Sequence, residues 1–160
     1  MTAAIPPGDP VTSALLQVLE WEHAAVYGYP VIGVTLTDAD QVEHARTAEA
    51  AHRLVRDALS QQLVSRLAVP TAAQPRYQPP APVTDDASAQ DWALQLEQSC
   101  AAGYRQLLAS TAGDTPAGRK AAGSGVRQQA LTGLNTAATQ AAYWRALLHP
   151  DAPTVAFPGL

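Results

Sequence analysis

Apolar residues return every three or four positions through most of this chain, the period of a helix with one buried face. Val11, Leu15, Val18, Leu19, Val26, Tyr29 and Leu36 mark a first helix over about 11–36. Pro30 falls inside it, where a missing backbone hydrogen bond costs about 3 kcal/mol, so the spacing predicts a kink near Val26–Pro30. Val42, Ala45, Val55, Leu59 and Leu63 mark a second helix from about Ala39 to Leu67. Thr37 and Asp40 have the Thr-x-x-Asp spacing of a helix cap. The short connection makes these two helices antiparallel neighbours.

From Ala68 to Asp86 the pattern stops. Pro70, Pro75, Pro79, Pro80 and Pro82 exclude a helix and predict extended chain, with Tyr77 and Val83 pinning it to the surface. Such a segment is long enough to cross a whole bundle. A third helix begins near Ser88, read as a capping box with Asp91, and continues to about Thr111 on Leu94, Ala101, Tyr104 and Leu108. After a turn at Gly113–Pro116, with Thr115 as cap and Pro116 at the first helical position, a fourth helix reaches about Leu148. Its predicted inner face is Leu131, Leu134, Ala138, Ala141 and Leu148. The fold class is all-α: a four-helix bundle, ferritin-like in its connectivity, with a long Pro-rich crossover between helices 2 and 3. Residues 1–160 read as a single domain, with a loose arm over 1–10 and a Pro-rich tail over 149–160 that Phe157 and Leu160 tack onto the bundle.

Composition narrows the function classes. Ten basic against 14 acidic residues give a net charge of −4, and Lys120 is the single lysine, so no basic face for nucleic acid is expected. No apolar run approaches the roughly 20 residues of a membrane span, and residues 1–10 lack the pattern of a signal peptide. The expected location is the cytoplasm. Cys100 is alone, which excludes a disulfide framework, and it reads as a small buried hydrophobe. No motif sets a nucleophile beside a base, and no Gly-rich loop follows a strand. No small-molecule substrate is identifiable, and the partner expected is a second copy in a homodimer.

The candidate chemistry lies where charge interrupts the apolar stripes. Glu49 and His52, three residues apart, project from one face of the second helix. Glu22 and Glu97 interrupt the first and third stripes in the same way. A carboxylate in an apolar interior needs a cation, a proton or hydrogen bonds. Arg53 and Arg56 follow Glu49 closely enough to supply a guanidinium, and Asp57 and Tyr104 complete the expected core polar network. Trp21, Trp92, Tyr143 and Trp144 read as packing or dimer contacts, His23 as a packed or surface residue, and Glu43-His44 as a solvated face.

Together these segments resemble the ferritin-like superfamily, and more closely a family of uncharacterised actinobacterial ferritin-like proteins. The resemblance rests on Glu22-His23-Ala24-Ala25-Val26-Tyr27-Gly28-Tyr29, on Ala51-His52-Arg53 with Arg56-Asp57, on Leu96-Glu97 with Cys100 and Tyr104-Arg105, and on Val83-Thr84-Asp85 and the Ala156–Leu160 tail. Ferritin-like two-metal sites take one Glu from each of two helices and a Glu-x-x-His from each of the other two. The resemblance places Glu22, Glu49, His52 and Glu97 at ligand positions. It puts Ala138 and Ala141 where the second Glu-x-x-His belongs, so a two-metal centre is not expected. Two readings follow. In the leading one no cofactor is bound, the Glu/His/Arg cluster is neutralised internally, and the bundle is a dimerising or partner-binding module. In the alternative, one iron or manganese ion sits on Glu22, Glu49, His52 and Glu97 and supports oxidase-like or metal-binding activity.

Overall fold

The computed structural model describes residues 9–112, 120–152 and 154–157, with side chains left out at 120–124. It contains four helices: α1 (Pro10–Thr35), α2 (Ala39–Ser65), α3 (Asp86–Ser110) and α4 (Lys120–Leu148). No strand occurs among the described residues. The expected turn cap Thr115-Pro116, most of the arm and Leu160 lie outside them.

The starts of the first three helices share one device, an aspartate whose carboxylate accepts a backbone N–H of the first turn. Asp9 accepts from the Thr12 nitrogen at 3.1 Å, ahead of Pro10 at the first helical position. Asp38 accepts from the Gln41 nitrogen at 3.0 Å, so Asp38 rather than Thr37 caps α2. At α3 the capping box is Asp85 with Ser88, three residues before the expected Ser88 with Asp91. Thr37 is used differently. Its backbone nitrogen and hydroxyl both donate to Asp86, at 2.7 and 2.6 Å, tying the α1–α2 turn to the start of α3.

α1 continues through Pro30 as one helix, not two. Pro30 is exposed, so the carbonyl it leaves without a donor lies on the wet side, where water can bond it. α2 ends two residues before the expected Leu67. Leu67 takes a left-handed φ of 59°, and the Ala68 nitrogen donates back to the Leu63 carbonyl at 2.9 Å, the closure by which a left-handed residue ends a helix.

Residues 66–85 then run without helix or strand. Tyr77 and Val83 pack on the core as expected, Tyr77 against the Tyr27 ring at 5.6 Å. His23 joins them through its Nε2 and the Thr71 carbonyl, 2.9 Å apart. Phe157 does not tack the tail down: it is 71% exposed.

α1 packs against α2 and α3, and α3 packs against α4. A Cβ on Gly28 would lie 2.6 Å from Leu96, and one on Gly103 would lie 3.0 Å from Trp21. Rising numbers on α1 thus face falling numbers on α3, so these two helices are antiparallel. On the fourth side α2 and α4 stand apart, with no Cα of one within 8 Å of a Cα of the other among the described residues. They are bridged where His44 stacks on Tyr143, ring centres 3.7 Å apart, and meets Gln140 Oε1 at 2.6 Å. His44 is therefore a bridging residue rather than part of a solvated face. The buried face of α4 is Val126, Ala130, Ala137, Ala141 and Trp144. Of the expected stripe, Ala141 is buried and Leu134 and Leu148 pack partly buried against the core, while Ala137 takes the place of Ala138 and Leu131 stays exposed at 37%. Trp144 fixes this register, because it is the largest fully buried side chain and α4 turns to bury it.

Candidate functional site: a carboxylate–imidazole cluster beneath an open cleft

α1 and α3 each carry a glutamate followed seven residues later by a tyrosine: Glu22 with Tyr29, and Glu97 with Tyr104. Seven residues are two helical turns, so each pair lies along one face, about 10 Å apart. Because the helices are antiparallel, each tyrosine comes level with the other helix's glutamate. The Tyr104 hydroxyl donates to Glu22 Oε1 at 2.7 Å, and the Tyr29 hydroxyl donates to Glu97 Oε1. α4 adds Trp144, whose indole N–H donates to the Tyr29 oxygen at 3.1 Å.

His52 enters from α2 and bridges the two carboxylates. Its Nδ1 lies 2.6 Å from Glu22 Oε2 and its Nε2 lies 3.1 Å from Glu97 Oε1. Neutral imidazole has one donor and one acceptor, whereas imidazolium has two donors. Two carboxylates on the two ring nitrogens form the pattern of the charged ring. Burial alone would lower the His52 pKa, but the hydrogen bonds and negative charges of Glu22 and Glu97 outweigh it and raise the value to about 10. The Tyr29 ring stacks beside the imidazole at 5.4 Å. Burial, reinforced by the nearby carboxylate charges, holds both tyrosine hydroxyls and the Cys100 thiol well above their ordinary pKa, keeping all three protonated.

Four donor hydrogens thus face four carboxylate oxygens but reach only three of them. Two reach Glu97 Oε1, and Glu97 Oε2 is buried with no hydrogen-bond partner. An unsatisfied buried acceptor costs about 1–3 kcal/mol, and more when charged.

Above the cluster, the gap between α2 and α4 forms a cavity of about 270 Å³. Its floor is Glu22, His52, Glu97, Cys100 and Tyr104. Its walls are Ala48, Ala51, Val55 and Ala58 from α2, facing Gly133 and Ala137 from α4, with Gln128, Thr132 and Thr136 along the α4 rim. A Cβ on Gly133 would lie 2.3 Å from the Tyr104 ring, so only glycine lets α4 pass over that tyrosine.

Of the residues expected at the site, Glu22, His52, Glu97 and Tyr104 are brought together. Glu49 is not. Its carboxylate takes two hydrogen bonds from Arg53, at 2.8 and 2.5 Å, near the surface. Arg56 bonds its chain neighbour Asp57 at 2.9 and 2.8 Å. Arg53, Arg56 and Asp57 therefore stay outside the core network, and the cation among the carboxylates is His52. The reason is reach: a guanidinium one or two turns along α2 finds an exposed acid on its own helix at far lower desolvation cost than a buried one. Tyr29 and Trp144 were not anticipated as members. The signal for Tyr29 was the repeated Glu-x6-Tyr spacing; for Trp144 there was none beyond its size.

A two-metal centre does not fit these residues. The α4 residues facing the cavity are glycine, alanine, threonine and glutamine, and Glu49 is turned to Arg53. The ligand atoms of Glu22, His52 and Cys100 do lie within 4.8 Å of one another. No helix among the described residues is long and apolar enough to cross a membrane.

No curated protein matches the chain. A similar solved structure is the crystal structure of a conserved hypothetical protein, rv2844, from Mycobacterium tuberculosis. It is 27% identical, with a TM-score of 0.76 over 88% of this chain and 98% of the other. Residues 14–160 match the family described as a domain of unknown function, DUF4439. The chain belongs to that family.

Proposed function

We propose that this bundle is a metal-free binding module that takes a small ligand in the cleft between α2 and α4. The observation that carries the reading is His52, engaged by a carboxylate at each ring nitrogen. An imidazolium there supplies the cation that a metal supplies in carboxylate bundles, and leaves the ring no lone pair for a metal. An apolar cavity with a few convergent polar groups, one strongly shifted in pKa, is where a ligand site is expected. About 270 Å³ corresponds to roughly nine waters at about 30 Å³ each, room for a ligand of about that many non-hydrogen atoms.

The test has two arms. Anaerobic loading with ferrous iron or manganese, followed by desalting and elemental analysis, is expected to leave far less than one ion per chain. Amide NMR shifts under a panel of small alcohols and amines are expected to gather at Ala51, Val55 and Ala137, and to vanish in Ala51→Trp. Stoichiometric metal, or no cleft shifts with any compound, overturns the proposal.

A second reading is favoured by the convergence of Glu22, His52 and Cys100: one iron or manganese ion held once His52 gives up its proton. Burial and the nearby carboxylate charges oppose Cys100 as a thiolate, and Glu49 is absent from the set. Retained stoichiometric metal that is lost in His52→Ala would establish this reading.

A further inference from the structure

We propose that the cleft is selective for a small primary ammonium with a short apolar tail, bound through the free oxygen of Glu97. This rests on the cleft being a ligand site and names the class of ligand. Three observations point the same way. Glu97 is fully buried and lines the cavity, and its Oε2 has no partner. Both tyrosine hydroxyls and both His52 ring nitrogens are already committed to other oxygens, which leaves only the Cys100 thiol, a weak donor, so a strong donor must come from outside the cluster. The charge is also uneven: two carboxylates face one imidazolium, and among the described residues no lysine or arginine lines the cavity.

An incoming group therefore needs both a donor hydrogen and a positive charge, which an ammonium supplies in one charge-assisted hydrogen bond. The alkyl part would lie against Ala48, Ala51, Val55 and Ala137, where neither wall offers a charge. A carboxylate or phosphate would meet Glu97 head-on with no guanidinium to receive it. An alcohol supplies a donor but no charge.

The experiment titrates the full chain at pH 7 with n-butylammonium, n-butanol and butyrate, following amide shifts of the cleft residues. Butylammonium is expected to bind at least tenfold tighter than butanol, and butyrate not at all. In Glu97→Gln the preference for ammonium over alcohol should fall to within about twofold while butanol still binds, which also shows that the cleft has survived the substitution. The wild-type comparison stands alone if that variant does not fold. Equal binding of butanol and butylammonium overturns the ammonium proposal and leaves the cleft as a ligand site. No binding of either overturns both. Stoichiometric displacement of butylammonium by manganese also overturns it, since the free oxygen then belongs to a metal site.

Discussion

The α1–α3 side and the α2–α4 side of this bundle do opposite things with small residues. Between α1 and α3, Gly28 and Gly103 let the helices close onto each other, and the aromatic rings of Trp92 and Trp21 fill what is left. Between α2 and α4, Ala48, Ala51, Ala58 and Ala137 leave space open. Composition does not separate the two cases. Rings seated against the α1–α3 glycines close that side, while the α2–α4 gap is bridged by side chains around His44. The acids sit on the closed side, and among the described residues the only cation paired with them, His52, comes from the open one.

The most damaging change should be His52→Ala, because it strips the cation from two buried carboxylates that the closed side cannot release. The expected loss is about 3–5 kcal/mol, read as a lower urea midpoint. A loss below about 1 kcal/mol would mean that the two sides are not joined through this ring.

The same junction should respond to pH. The folded pKa of His52 is raised to about 10 from about 6.5 in an unfolded chain. A raised value makes its stabilisation complete below about pH 6.5 and lost progressively as pH climbs to about 10. Tyr29, Tyr104 and Cys100 are raised too and push in the same direction. The His52 share is therefore the difference between wild type and His52→Ala. Thermal midpoints of the two proteins are expected to converge between pH 7 and pH 10, and parallel curves would contradict the assignment.

Filling each side in turn sharpens the contrast. Ala25→Leu adds volume where Ala25 is fully buried and should cost about 1–3 kcal/mol or more. Ala51→Leu points added volume into the cleft and should change stability by less than about 0.5 kcal/mol. Similar costs for the two would erase the distinction between packed and open faces. The smallest effect belongs to Arg53→Ala. It removes an i,i+4 pair with Glu49 near the surface, worth about 0.3–0.5 kcal/mol. A loss of several kcal/mol would put Glu49 back among the buried acids.

Much of this arrangement was legible before any coordinates. Helix period, the proline run and the interrupted stripes placed four helices and brought out Glu22, His52, Glu97 and Tyr104. What periodicity does not fix is rotation about the helix axis. On α2, Glu49 and His52 share a face only to within about 60°, and that margin sends one outward to Arg53 and the other inward. On α4 a shift of one position exchanged Ala138 for Ala137 as the residue over the cleft. The stripe was alanine on either choice, so apolar spacing alone did not decide, whereas the size of Trp144 did. The tyrosine-to-glutamate exchange was written in the two seven-residue spacings, but it becomes a pairing only when α1 and α3 run in opposite directions.

That direction is set far from the cluster, by the proline-rich segment over residues 66–85. Fully extended, these residues reach roughly 60 Å, whereas α2, with 27 residues, is about 40 Å long. The chain can therefore travel back beside the bundle and re-enter at the end where α2 began. Were the segment trimmed to a tight hairpin, α3 would set out from the opposite end, parallel to α1. Each tyrosine would then lie level with the other helix's tyrosine and two turns away from the acid it serves. A stretch without a single helical turn thus decides which hydroxyl meets which acid in the middle of the protein.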